Sequence, residues 1–276
     1  MVSIKSTTHI NEIGIRKINE DCVVVDETNK IYGVFDGASS IVPYISADGK
    51  TGGYIAASIA VSTFMNSALS LKATALKANE RIEKIQTDAD IDLSKSSNRF
   101  GTMAAVVKIN KNKASLLQIG DSIAIVIDIE GNATVPLGYF DHDINEMRKW
   151  RQFTDQGVQN IRELIWDDIV RTREAANVSY GMLNGDKKLE SHIRTITISL
   201  DNVATILLLT DGMFLPKTDP DANDNWNDYA DCYLKSGLTG LFKLVRDTED
   251  SDPALVKYPR FKLHDDSSAV AIDFIH

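Results

Sequence analysis

Along the first hundred residues the apolar positions fall into two periods. Short apolar runs at Cys22 to Val25 and Ile31 to Phe35, separated by the polar Glu27-Thr-Asn-Lys30, predict the two strands of a hairpin. From Ala47 or Thr51 to Leu69, the residues Ile55, Ile59, Phe64, Met65 and Leu69 predict a buried helix. Next, Leu71, Ala75, Ala78, Ile82 and Ile85 recur at spacings of four and three, with Lys72, Lys77, Glu80 and Lys84 on the opposite face. This predicts a second, amphipathic helix lying antiparallel to the first.

Beyond a polar connection at Asp88 to Asn98 the period shortens. Apolar runs at Met103 to Ile109, Ala114 to Ile119 and Ser122 to Ile129 are broken by Asn110-Lys-Asn112, Gly120-Asp121 and Glu130-Gly131-Asn132, and predict a β-meander. From Asp141 to Asn177 the chain turns charged and helical, with Val158, Ile161, Ile165 and Ile169 on one face. A Gly/Asn-rich stretch, Tyr180 to Asp186, closes this inserted surface segment. Strands are predicted again at Ile193 to Leu200, Ala204 to Thr210 and Ala269 to Phe274, with a helical pattern from Trp226 to Val245 that Gly237 and Gly240 interrupt. Runs of strands set apart from helix pairs indicate an α+β architecture rather than alternating βαβ units.

Composition narrows the classes of function. The 276-residue chain is long enough to bury a large core and carries a formal net charge of -9, which argues against a general binder of nucleic acid or anionic membrane. Cys22 and Cys232 lie far apart with no metal-knuckle spacing, so a reducing compartment is expected. Met1 to Asn11 is polar, without the apolar stretch of a signal peptide, and no apolar run is long enough to span a bilayer. A cytoplasmic monomer is the expectation.

The candidate chemistry sits at the strand ends. Asp21 enters the first predicted strand and Asp36 leaves the second, so the hairpin brings two carboxylates to one end of a sheet, with Arg16 nearby. Carboxylates that close repel one another unless a cation lies between them. Acids beside glycine are also common turn formers, which leaves solvated caps as the alternative. The pattern recurs, however: an apolar strand precedes Thr210-Asp211-Gly212, Asp121 follows another strand, and Asp265 and Asp266 precede the last.

In this order the motifs resemble the protein phosphatase 2C family of metal-dependent Ser/Thr phosphatases. Arg16-x-x-Asn19-Glu20-Asp21 is similar to its Arg-x-x-x-Glu-Asp element, Phe35-Asp36-Gly37 to its Asp-Gly-x-Gly-Gly, and Gly101-Thr102 to its Gly-Thr-Thr. Gly120-Asp121-Ser122 is similar to its Gly-Asp-Ser-Arg, Thr210-Asp211-Gly212 to its Ser-Asp-Gly, and Asp265-Asp266-x-Ser268 to its Asp-Asn-x-Thr. The resemblance implies a single domain over residues 1–276: two packed antiparallel sheets flanked by pairs of antiparallel helices, with an inserted helical flap at about 138–190. It implies two divalent cations, Mn²⁺ or Mg²⁺, with Asp36 bridging them, the Gly37 carbonyl on one, Asp211 and Asp265 on the other, and Glu20 and Asp21 acting through water. An all-oxygen set suits these ions. The implied activity is attack of a hydroxide shared by the two ions on a phosphoserine or phosphothreonine of a phosphoprotein in a signalling pathway. Arg16 is the candidate for holding the phosphate oxygens.

Several positions depart from the family pattern. Ala38 stands where many members have a histidine, leaving His142 and His264 as the nearest histidines by sequence. Ser39-Ser40 replaces Gly-Gly, Met103 a threonine and Ile123 an arginine. Leu215 replaces an aspartate, so a possible third metal at Asp121 lacks a ligand. The competing expectation is a weak or inactive pseudophosphatase that docks a phosphoprotein or partner through Gly138 to Asp186.

Overall fold

The computed structural model describes residues 2–276. The predicted hairpin forms from β2 (Cys22–Asp26) and β3 (Ile31–Ala38) in antiparallel register, with Cys22 opposite Phe35. It joins β4 (Gly101–Asn110), β5 (Lys113–Ile119) and β8 (Arg194–Ser199) in a sheet ordered β2-β3-β4-β5-β8. The second sheet is ordered β1-β10-β9-β6-β7, built from β1 (Ser3–Glu12), β6 (Ile123–Asp128), β7 (Ala133–Thr134), β9 (Val203–Leu209) and β10 (Ser267–Ile275). All ladders are antiparallel.

Why the strands read as continuous apolar runs is clear from the layers. Successive side chains point to opposite faces, and here both faces are buried. Val34, Ala105, Val107 and Leu116 face the other sheet, meeting Ile206, Leu208, Val270 and Ile272. Their neighbours Phe35, Ala104, Val106 and Leu117 face α1 (Gly52–Phe64) and α2 (Leu71–Asp88), through Ala56, Ala60, Phe64, Ala75 and Ile82. Thr51 and Ser70 cap these helices by accepting from the Tyr54 and Ala73 backbone N–H groups, both at 3.3 Å. On the outer face of the second sheet, Ile125, Leu207, Leu209 and Ala271 pack on Tyr229, Ala230 and Leu241 of α6 (Trp226–Asp250). The result is an α+β sandwich of four layers. Gly237, with φ 65°, breaks the helical path inside α6, as its glycines suggested.

Two expectations are corrected. The three runs from Met103 to Ile129 are not one meander: β4 and β5 pair, but β6 belongs to the other sheet. Gly120, at φ +74°, turns the chain there against Met103, which leaves no room for a Cβ. The polar start of the chain, to which the sequence pattern assigned no element, forms β1 along β10, from Ser3 opposite Ile275 to Glu12 opposite Ser267. As an edge strand it keeps one side in solvent, so Lys5, Thr8 and His9 replace the apolar run of an inner strand. The first helix also ends at Phe64, short of Leu69.

Between β7 and β8 lie α3 (Ile144–Asp155), α4 (Ile161–Leu164) and α5 (Trp166–Glu174). Trp150, Ile161 and Ile165 form a small core of their own, with Val158, Ile169 and Phe261 packed on it. The following stretch returns to the body, where Leu183 exchanges backbone hydrogen bonds with Thr102 at 3.0 Å and Leu189 is buried under α2.

Candidate metal centre

Antiparallel pairing brings one end of every inner strand to the same edge of the sandwich. The start of β2, the end of β3, the end of β5, the end of β9 and the start of β10 meet there, carrying Asp21, Asp36, Asp121, Asp211 and Asp265. Asp21, Asp36, Asp121 and Asp211 line one cleft of about 150 Å³, together with Arg16, Glu20, Gly37 and Asp265. The sequence-predicted site residues thus converge.

Their supports are specific. Thr210 donates its hydroxyl to Asp21 Oδ2 at 2.8 Å and accepts the Ser268 N–H at 2.9 Å, so β9 and β10 together fix Asp21. Gly37 lies so close to Glu20 and Gly53 that a Cβ would stand 2.2 Å from the Glu20 carbonyl oxygen, which makes glycine obligatory after Asp36. The paired acids before β10 divide their work. Asp266 accepts the backbone N–H groups of Gly14 and Glu20, each at 2.8 Å, and is a buried structural anchor. Asp265 is left facing the cleft, its backbone carbonyl held by Arg246 at 2.5 Å.

Burial first, and mutual repulsion second, push the carboxyls of Asp36 and Asp211 well above the usual range. Asp21 is also raised by burial, partly offset by its Thr210 hydrogen bond, and Asp121 is raised chiefly by burial. Buried carboxylates that repel in this way are relieved by a divalent cation, and the donor set is all oxygen, so the residues fit such ions in charge and chemistry. As the side chains stand, no three acidic, histidine or cysteine groups among the described residues are drawn together around one point. Each is held elsewhere: Asp265 by Lys262, Glu20 by Arg16, Asp21 by Thr210.

Sequence reasoning missed much of the cleft's positive wall. Arg162 of α4, Arg173 of α5 and Lys262 line it beside Arg16. Arg173 donates to the Ser39 carbonyl at 2.8 Å, and Arg162 to the Phe261 carbonyl at 3.0 Å while lying over the Phe261 ring. No local signal marks them, because a separate segment delivers them to the site. His142 is in the cleft, with Nδ1 3.3 Å from Asp121 Oδ2 and its ring stacked on Tyr180. Burial disfavours its charged form, but Asp143 and Asp121 outweigh this and raise its pKa. His264, the other histidine considered, pairs with Asp250 at 2.9 Å and does not line the cleft. The departures Ala38 and Met103 prove to be coupled, for they pack together with Ala176, Tyr180 and Met182 in one apolar plug.

The sequence matches the model of the protein phosphatase 2C family over residues 17–250, most of its length. The chain belongs to the protein phosphatase 2C family. Solved structures of this phosphatase class share its fold across the whole chain. PppA of Pseudomonas aeruginosa, a regulatory component of T6SS, aligns at a TM-score of 0.61 and 16% identity, covering 99% of both chains. The Mycobacterium tuberculosis serine/threonine phosphatase PstP/Ppp aligns at 0.61 and 16%, covering 98% of this chain and 99% of its own. The catalytic domain of PstP in complex with two manganese ions aligns at 0.59 and 14%, covering 100% of both. No curated protein sequence matches this chain. No helix among the described residues is long and apolar enough to cross a membrane.

Proposed function

We propose that this protein phosphatase 2C member hydrolyses phosphoserine or phosphothreonine in proteins with the help of two divalent cations, Mn²⁺ or Mg²⁺. The observation that carries the reading is the convergence of Asp21, Asp36, Asp121, Asp211 and Asp265 on one cleft that also holds Arg16. Asp36 and the Gly37 carbonyl, with Asp211 and Asp265, are the residues we assign to the ions, with Glu20 and Asp21 as partners of ion-bound water. When bound, a pair of such ions supplies Lewis acidity and brings the pKa of a water towards neutrality. The PstP catalytic domain carrying two manganese ions supports this choice of cation.

The chain's own contribution is binding and orientation. Arg16 keeps nearly half of its side chain exposed at the cleft while pairing with the buried Glu20, so its guanidinium is positioned to take two phosphate oxygens. Arg162, Arg173 and Lys262 add positive charge that draws in a doubly charged phosphate. Ala38 offers no proton to the departing serine or threonine oxygen, and the side chains packed around it, Met103, Ala176, Tyr180 and Met182, include no carboxylate or histidine to supply one. We read α3 to α5 as a flap inserted in a single domain, contributing Arg162 and Arg173 from outside the sandwich.

One observation favours the docking alternative. Lys262 on Asp265 and Arg16 on Glu20 are internal cations standing where acids would otherwise meet ions, and the His142 ring lies beside Asp121. Hydrolysis of phosphoserine and phosphothreonine peptides in Mn²⁺, Mg²⁺ and EDTA separates the two. Turnover that needs the metal establishes the phosphatase; tight peptide binding with no turnover in any metal establishes the docking module.

A further inference from the structure

A second cavity, of about 180 Å³, opens beside the cleft and shares with it Asp121, Asp143, Asp211, Phe261, Lys262 and Asp265. Its remaining wall is different in kind. Tyr139, Met147, Phe214 and Leu215 line it, with Pro216, Pro220 and Pro259 completing the apolar surface. The wall is packed from behind: Tyr139 meets Phe214 edge to face at 5.4 Å and Trp226 at 5.7 Å, and the Leu215 N–H donates to the Tyr229 hydroxyl at 2.8 Å.

The cavity's cations have their own partners. Lys217 pairs with Asp224 at 3.1 Å, and Arg260 is spent on Asp252, on the Glu249 carbonyl at 2.8 Å and on the Leu263 carbonyl at 3.2 Å. Lys262 is held by Asp265. Glu249 is paired with Arg246, and Asp141 accepts the Asp143 N–H. What meets a visitor is a two-sided surface, apolar along Tyr139, Met147, Phe214 and Leu215, with carboxylates along the wall shared with the cleft that repel acidic groups. Pockets for whole small ligands run to about 300–1,000 Å³, so this one suits a single side chain.

We propose that this cavity is a specificity pocket for one large apolar side chain, that of a residue flanking the phosphorylated serine or threonine. The proposal rests on the phosphatase reading of the adjoining cleft. The shared wall of Asp211, Asp265 and Phe261 means that a peptide with its phosphate in the cleft passes the mouth of the cavity within a residue or two. Leu215, which stands where the family pattern has an aspartate, helps to make the wall apolar.

The test uses phosphothreonine peptides with Leu, Phe, Gly, Glu or Lys at each of the two positions before and after the phosphoresidue. Hydrolysis in Mn²⁺ by the wild type is compared with Leu215→Trp and, on the separate helix α3, Met147→Trp, both of which fill the cavity. The wild type should prefer Leu or Phe over Gly at one flanking position by about tenfold or more in kcat/KM. Both variants should lose that preference while keeping p-nitrophenyl phosphate turnover within about twofold. Normal p-nitrophenyl phosphate turnover with equal rates for all peptides, or a preference for Lys or Glu, overturns the pocket and leaves the phosphatase intact. Should nothing be hydrolysed, fluorescence polarisation of the same peptides decides: an apolar preference that both variants abolish supports the pocket, and uniform affinity overturns it.

Discussion

Replacing Asp36 by asparagine should stabilise the metal-free protein while removing its response to Mn²⁺. Continued one residue beyond the paired Cys22 and Phe35, the hairpin register sets Asp21 across from Asp36. Such neighbours have Cβ atoms about 5 Å apart. Two full charges at that spacing repel by roughly 3 kcal/mol at an effective dielectric constant of about 20. Asp211 and Asp121 add to the load on Asp36, whereas partial protonation reduces it, so a gain of about 1–3 kcal/mol is expected at pH 8. For a domain of this size that corresponds to a melting temperature higher by roughly 2–5 °C. The sign of the pH dependence follows from the raised carboxyls. Above the unfolded pKa the folded, metal-free chain holds more protons than the unfolded one, so its stability falls as pH climbs through the folded values. The advantage of Asp36→Asn should therefore be largest at pH 8 and shrink towards pH 4. The assay is thermal denaturation of both proteins in EDTA and in millimolar Mn²⁺, at several pH values. A variant that melts lower than the wild type in EDTA at pH 8, or that still gains stability from Mn²⁺, refutes the repulsive-cluster argument.

Other outcomes follow from the same geometry. Adding Mn²⁺ at about 100 times its dissociation constant should stabilise the wild type by about 2.7 kcal/mol, reversed by EDTA, and calorimetry that detects no shift removes the metal assignment. Arg16→Ala should raise KM for phosphopeptides at least tenfold with a smaller change in kcat, whereas unchanged kinetics would reduce Arg16 to a surface partner of Glu20. Ala38→His should not restore the usual family histidine to good effect, because residue 38 is buried against Met103 and Tyr180; a loss of about 1–3 kcal/mol in chemical denaturation is expected. Phe64→Ala, at a fully buried contact with Phe35 between α1 and the sheet, should cost about 3–5 kcal/mol, and a cost under 1 kcal/mol would contradict the packing described.

The physical signals in the chain explain which parts of the fold and site were legible. The β2–β3 hairpin was readable because a polar turn separates two apolar runs, and with it came the meeting of Asp21 and Asp36. Inner strands buried on both faces give no alternation, so nothing in β6 announces that it leaves the sheet of β4 and β5; the turn at Gly120 does that through tertiary contact with Met103. The edge strand β1 was hidden by its polar solvent face. Asp265 and Asp266 are the same residue type side by side, and only the hydrogen bonds from Gly14 and Glu20 separate anchor from cleft residue. Arg162, Arg173 and Lys262 reach the cleft from elements that pack on one another rather than on the sandwich core, which no local pattern encodes. The order of the acid motifs along the chain, by contrast, was visible in full.

The most direct measurement is phosphate release from a single phosphothreonine peptide across a Mn²⁺ titration, for the wild type beside Asp211→Asn. Release that rises from zero with Mn²⁺, vanishes in EDTA and is lost in the folded variant is the predicted result. Release that persists in EDTA, or that Asp211→Asn leaves unchanged, contradicts the account at its centre.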